Sequence, residues 1–298
     1  MRVVVAGASG LIGAALVSHL ESTGHQVVRL VRDPGSRAED ARFWSPATGE
    51  IDDDAFDGVD GVVNLAGAGI GDRRWSERRK RELRQSRVAA TELLVEAMGA
   101  AAAPPAVLVA GSAVGVYGDR GDEVLDEQSG PGTGFLAALA ADWEAAATEA
   151  QGSGIRVAVA RTGLVVAKNA PFLTRMLPLF KVGLGGPLGN GRQWWPWIAV
   201  GDQVRALAFL LESDISGPVN LCAPNPATNR EFTRALGSVL RRPAVLKVPR
   251  FGPRLLLGKE LADGLLFSST RALPEALSVA GFEFHHPDLQ PALAHILA

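Results

Sequence analysis

The stretch that most restricts the fold is Gly7-Ala8-Ser9-Gly10-Leu11-Ile12-Gly13, a G-x-x-G-x-x-G triplet between two apolar patterns. Val3-Val4-Val5-Ala6, before it, has the unbroken hydrophobicity of a strand buried on both faces. AALVSHLEST, after it, has helical spacing, and Gly24 stands where a glycine ends a helix. Strand, glycine turn and helix in that order open a βαβ unit. The first glycine makes the tight turn, the second admits a pyrophosphate to the backbone, and the third lets the helix lie close. The helix N-terminus then offers free N–H groups to an anion. The motif predicts nucleotide binding.

The same alternation continues. Strand-like runs cover 25–31, 61–65, 106–110 and 156–160, with helical patterns at 77–98 and 135–151. Strands alternating with helices at this spacing predict an α/β fold, a Rossmann-like doubly wound parallel sheet. That domain is expected over 1–165, also using about 196–212. A smaller C-terminal substrate domain is expected over 166–298. It contains an amphipathic helix at 230–240. An apolar helix at 251–267, broken at Gly258 and Gly264, has a face suited to burial or to a homodimer.

Composition narrows the function classes. A net charge of −2 on 298 residues gives no general attraction to nucleic acid or anionic lipid. A single cysteine, Cys222, excludes an internal disulfide and a thiolate metal cluster. The histidines lack metal-ligand spacing, so no metal site is expected. No apolar run approaches the ~18 residues of a membrane span, and the expected location is the cytoplasm. The arginine-rich run 73–87 admits two readings, a nucleic-acid patch or a solvated helix face. Glu77 with Arg81 and Arg78 with Glu82 stand at i,i+4, which favours the solvated face.

The second strand ends in Val31-Arg32-Asp33-Pro34. An acid at this place bonds the adenine ribose of NAD, whereas a guanidinium suits the 2′-phosphate of NADP. Arg32 comes first and favours NADP(H), with Asp33 on the ribose as the alternative.

Further stretches carry a resemblance. They are DGVVNLAG (60–67), GDRRWSERRKRELRQSR (71–87), LVAGSAVGVYG (108–118), ARTGLVVA (160–167) and GLGGPLGNGRQWWPWIAVGDQVRA (183–206), the last far more specific than the glycine triplet. Together they resemble the extended short-chain dehydrogenase/reductase superfamily, and within it the atypical subgroup called epimerase family, which has a characteristic C-terminal domain of unknown function. The resemblance runs from residue 1 to about 297. It implies an NADP(H)-dependent oxidoreductase or epimerase acting on a small molecule such as a nucleotide sugar. It also implies cofactor contacts at Gly7, Ser9, Gly10, Leu11, Ile12, Arg32, Leu65, Ala66, Glu82, Arg87 and Val165.

One element of the superfamily is missing. Its usual proton donor is a tyrosine, with a lysine four residues later on the same helix face. This chain has one tyrosine, Tyr117, and residue 121 is glycine, so no Tyr-x-x-x-Lys exists. The helix that would carry the pair reads Phe135-Leu136-Ala137-Ala138-Leu139-Ala140. Two residues after the 106–110 strand are candidates for the chemistry. Ser112 could bond a substrate carbonyl or cap backbone groups, and Tyr117 could donate a proton or anchor its loop. The alternative is a non-catalytic NADP(H)-binding sensor or partner-binding protein.

The block from Gly185 to Trp197 holds Trp194, Trp195 and Trp197. It reads as a wall over a substrate, with Arg192, Gln193 and Trp195 in contact, or as a seam between domains. Asp202, just before QVRALAFLLE, is expected to be a helix N-cap.

Overall fold

Val3 and Val5 face one side of the central sheet, Val4 and Ala6 the other, and all four are fully buried. The computed structural model describes residues 1–36 and 38–298. The first half runs β1 (Arg2–Ala6), α1 (Leu11–Ser22), β2 (Gln26–Val31), β3 (Ala41–Ser45), β4 (Glu50–Ile51) and β5 (Gly61–Asn64). It continues with α2 (Glu77–Gln85), α3 (Val88–Ala100), β6 (Val107–Ala113), β7 (Val124–Leu125), α4 (Phe135–Thr148) and β8 (Arg156–Thr162).

The second half begins β9 (Leu164–Val166), α5 (Pro171–Lys181), β10 (Trp194–Trp195), β11 (Trp197–Ala199), α6 (Val200–Glu212) and β12 (Gly217–Leu221). It ends β13 (Ala227–Thr228), α7 (Asn229–Leu240), α8 (Phe251–Leu257), α9 (Lys259–Ala262), β14 (Arg271–Ala272), α10 (Glu275–Val279) and α11 (Leu289–Leu297).

Eight strands form the sheet in the order β12-β8-β6-β5-β1-β2-β3-β4, parallel except at β3–β4. The chain steps outward from β1 to β2 and β3, then returns beside β1 as β5 and builds the other way. That reversal opens a crevice at the carboxyl ends of β1 and β5. Leu16 and Leu20 of α1 and Leu207 and Leu210 of α6 cover one face. Leu94 and Met98 of α3 and Ala147 of α4 cover the other. The sheet is doubly wound, as the sequence pattern predicts.

The remaining elements gather on α5, α7 and α11. Their core includes Trp195 and Phe232, with Phe172 packed edge-on to both. β7 pairs with β14, which stitches this part to the first.

Several expectations change. The return to the sheet extends beyond 212, because β12 becomes its edge strand. The helix predicted over 77–98 is two helices: the Ser86 hydroxyl bonds Leu83 O and receives Ala68 N–H, which ends α2 at Gln85, two residues before Arg87. The predicted helix at 135–151 is α-helical to Thr148 and tightens into a 3₁₀ turn over Glu149–Ser153. Asp202 is not an N-cap, since Ala199 holds that position. Its buried carboxylate receives the backbone N–H groups of His285 and His286 at 2.9 and 2.8 Å and pairs with Arg205, pinning the C-terminal segment to α6. Of the 251–267 segment, Leu261, Ala262 and Phe267 are buried, whereas Phe251, Leu255 and Leu256 are exposed. Among the described residues no helix is long and apolar enough to cross a membrane.

Candidate functional site

The glycine loop packs where the crevice opens. Gly7 has φ +81°, and a Cβ there would stand 2.7 Å from the Leu65 carbonyl carbon, so the loop backbone lies directly on the end of β5. Gly13 is equally constrained, because its Cβ would meet Gly7 O at 2.1 Å. Gly10 is the N-cap of α1 and supplies no side-chain acceptor. The first N–H groups of that helix therefore remain open to an anion. Ile12, Leu65 and Val165 are partly buried against the same face of the core. Leu11 packs on the C-terminal core instead, and Ser9 is exposed.

At the end of β2 the two candidate residues separate. Asp33 accepts the Gly35 N–H at 2.9 Å and the Ser36 hydroxyl at 3.2 Å, which commits its carboxylate to the local turn. Arg32 is exposed and has no ion pair among the described residues.

Across the crevice, Asn64 Nδ2 donates to Thr91 Oγ1 at 2.9 Å, while Asn64 Oδ1 receives Ala66 N–H at 3.1 Å. This fixes the Leu65-Ala66 turn. Arg87, placed by the break between α2 and α3, lies over Gly67, where a Cβ would stand 2.9 Å from its Cζ. Its guanidinium also stacks 5.3 Å from the Trp143 ring. Burial, with the charge of Arg79 adding to it, pushes the Arg87 pKa down to about 10. It remains a cation at neutral pH, and no carboxylate pairs with it among the described residues. A partly desolvated cation without a counter-ion is costly unless a ligand supplies the anion.

Glu82 is held by Arg79, whose Nη2 donates to Gly69 O. It sits on the exposed face of α2 with its carboxylate 2.6 Å from Arg79 Nη1, and that bond lowers its pKa. The predicted Glu77–Arg81 and Arg78–Glu82 pairs are replaced by i,i+3 pairs, Lys80 with Glu77 and Arg79 with Glu82.

The polar groups after β6 form one chain. Ser112 Oγ donates to Glu144 Oε1 at 2.6 Å, and Arg161 grips the same carboxylate through Nε and Nη2 at 2.9 and 2.8 Å. Arg161 Nη1 donates to the Tyr117 phenol at 3.0 Å. The phenol in turn reaches Asn220 Oδ1 at 2.8 Å and Asp126 O at 2.9 Å. Tyr117 is 0% exposed, and burial raises its pKa, so the phenol stays protonated. These contacts fit loop anchoring. They leave the phenol no open face toward a substrate.

Leu136, Ala140 and Glu144 stand at i, i+4 and i+8 and so share one face of α4. Ala140 is buried in the cluster of Val116, Tyr117 and Cys222. Leu136 lies between Gly115 and Gly264, and the Trp75 ring covers Gly264. Trp75 and Phe135 meet edge-on at 5.0 Å. Sequence reasoning missed Glu144, Arg161, Asn220 and Trp75. The carboxylate eight residues beyond Leu136, on the same face, was the available signal.

Trp195 and Trp197 of the tryptophan block pack into the C-terminal core. Trp195 is buried there, and Trp197 Nε1 donates to Asn225 O at 3.1 Å. Gln193 is buried, its Nε2 donating to Leu188 O and Leu266 O. Of the three predicted contacts only Arg192 is exposed.

A model of the NAD dependent epimerase/dehydratase family matches residues 3–222, and a domain of unknown function, DUF1731, matches 248–296. An epimerase family protein of Mycobacterium leprae is 47% identical over 98% of this chain and 94% of its own. The crystal structure of the human epimerase family protein SDR39U1 with NADPH superposes with a TM-score of 0.89 at 33% identity, covering 100% of this chain and 99% of that one. A nucleoside-diphosphate sugar epimerase from Corynebacterium glutamicum superposes at 0.80 with 35% identity, covering 100% of this chain and 58% of that one.

Proposed function

The chain belongs to the NAD dependent epimerase/dehydratase family, and we propose that it is an NADP(H)-dependent oxidoreductase or epimerase that works without a Tyr-x-x-x-Lys pair. The observation that carries this reading is a pair of uncompensated cations, Arg32 and Arg87, flanking the free N-terminus of α1. Three features fit a phosphorylated dinucleotide: a glycine cradle that a Cβ would fill, a free guanidinium at the end of β2, and a second one over Gly67. The human relative with NADPH supports the same assignment.

In this arrangement the N–H groups of Leu11 and Ile12 hold the pyrophosphate, Arg32 the 2′-phosphate, and Leu65 and Ala66 the floor. Arg87 meets the oxygen-rich half beyond Gly67. A nicotinamide bound there supplies hydride transfer. Ser112 handles the proton. Its own hydrogen is held by Glu144, so as Oγ takes the proton of a substrate hydroxyl it passes its own to Glu144 Oε1, and the carboxylate ends protonated. Arg161 positions Glu144, and Tyr117 positions Arg161. The apolar wall of Trp75, Phe135 and Leu136 lines the substrate side.

The substrate class this reading favours is a nucleotide sugar or similar hydroxyl or carbonyl compound, as the name of the Corynebacterium relative suggests. The test is a screen of the NADPH-loaded protein against nucleotide sugars and small carbonyls, followed at the reduced-nicotinamide absorbance. Turnover of one class supports the enzyme. Tight NADPH binding with no turnover supports the second reading, a cofactor-binding sensor, which the burial of the only phenol favours.

A further inference from the structure

Away from the crevice, the C-terminal part carries a second concave site. An open groove of about 510 Å³ runs between α7 and the segment 242–247. Arg230, Arg234, Arg242 and Lys247 line it together with Ser238, and no carboxylate does. On a chain of net charge −2, four cations lining one groove without an acid is a local excess of positive charge.

The cations are held but not neutralised. Arg230 Nη2 donates to Asn190 O at 2.7 Å and Arg242 Nε to Lys181 O at 2.9 Å. Backbone carbonyls thus orient both guanidiniums and leave their charge intact. Arg234 and Lys247 have no ion pair or hydrogen bond among the described residues. Arg230, Arg234 and Ser238 stand at i, i+4 and i+8, a row of donors along one face of α7 with about 6 Å between neighbours. The facing wall is apolar, built by Pro187, Ala244 and the exposed Val245.

From this geometry we infer that the groove is a binding site for an organic polyphosphate, distinct from the dinucleotide crevice. Two or three phosphates lie along the Arg230–Arg234–Ser238 row under Arg242 and Lys247, and the organic body rests on Val245 and Ala244. Guanidiniums match phosphate oxygens in pairs, and a single monoanion would leave most of the charge unmet. A volume of about 510 Å³ lies within the range of small-molecule sites. A concave pocket, rather than a flat basic face, selects a small ligand over a membrane.

The experiment titrates inorganic tripolyphosphate by calorimetry into protein already saturated with NADPH, so that the first site is filled. One tripolyphosphate per chain is expected, with affinity falling as salt rises. The double variant Arg234→Ala, Lys247→Ala should weaken it at least about tenfold while leaving the NADPH affinity unchanged. Ser238→Glu, which sets a carboxylate in the row, should weaken it independently and covers the case where the double variant does not fold. The inference fails if the loaded wild type gives no heat, or if folded variants bind tripolyphosphate as tightly as wild type. It fails too if phosphatidylserine vesicles bind and tripolyphosphate does not.

Discussion

The phenolic oxygen of Tyr117 lies 2.8 Å from Asn220 Oδ1, tying the turn after β6 to the edge strand β12 across 103 residues of chain. Asn220 completes the link by donating from Nδ2 to Leu273 O at 2.9 Å. Tyr117→Phe leaves Asn220 Oδ1 and Arg161 Nη1 short of a partner in a buried place, at a cost of about 1–3 kcal/mol. Urea denaturation should show that loss with NADPH affinity unchanged. A variant of full stability but reduced turnover would return the phenol to the chemistry.

Ser112 is the residue whose removal should be felt in the reaction. Ser112→Ala deletes the hydroxyl that donates to the Glu144 carboxylate. Turnover on any substrate found should fall by roughly 10²-fold or more, the usual worth of a positioned proton-transfer group. Because Ser112 is not among the residues assigned to the cofactor, its loss should leave the NADPH dissociation constant where it was. Single-turnover kinetics separate the two readouts.

Gly7 tests the cradle. Any Cβ at φ +81° is strained, and this one also strikes the Leu65 backbone at 2.7 Å. Gly7→Ala should therefore lower stability by about 1–3 kcal/mol and weaken NADPH binding, as the loop shifts off β5. Thermal melts with and without cofactor check both halves: the protection that NADPH gives should shrink.

The parts legible in the sequence were those set by local pattern. Val3–Ala6 and the glycine triplet fixed β1, α1 and the mouth of the crevice, because period and φ requirements are written in neighbouring residues. Arg32 could be ranked over Asp33 by type, but the turn that occupies the Asp33 carboxylate is visible only in the fold. The rest depends on residues far apart in the chain. Ser112, Glu144 and Arg161 meet only when β6, α4 and β8 are packed. Asp202 reads as a cap until the segment at His285–His286 arrives to use it. Trp195 reads as an exposed wall until Phe172 and Phe232 surround it. The kink before Arg87 rests on a bond from Ala68 to Ser86, which no helical periodicity reveals.

His19 gives the fold a pH dependence. Burial first, then the charges of Arg205 and His25, hold its pKa below the ordinary value. The folded state resists a proton that the unfolded chain accepts. As pH falls through about 6.5 the unfolded state binds more protons, so stability drops toward acid and levels only below the folded pKa. Urea midpoints should be lower at about pH 5.5 than at about pH 7.5, and His19→Gln should reduce that difference.

The most direct test of the whole account compares NADPH with NADH by calorimetry, on wild type and on Arg32→Ala. The account predicts that wild type prefers NADPH by about tenfold to a hundredfold, the worth of one charge-assisted contact to the 2′-phosphate. It also predicts that Arg32→Ala removes the preference by weakening NADPH alone. Equal affinity of well-folded wild type for both, or no heat with either, would contradict it.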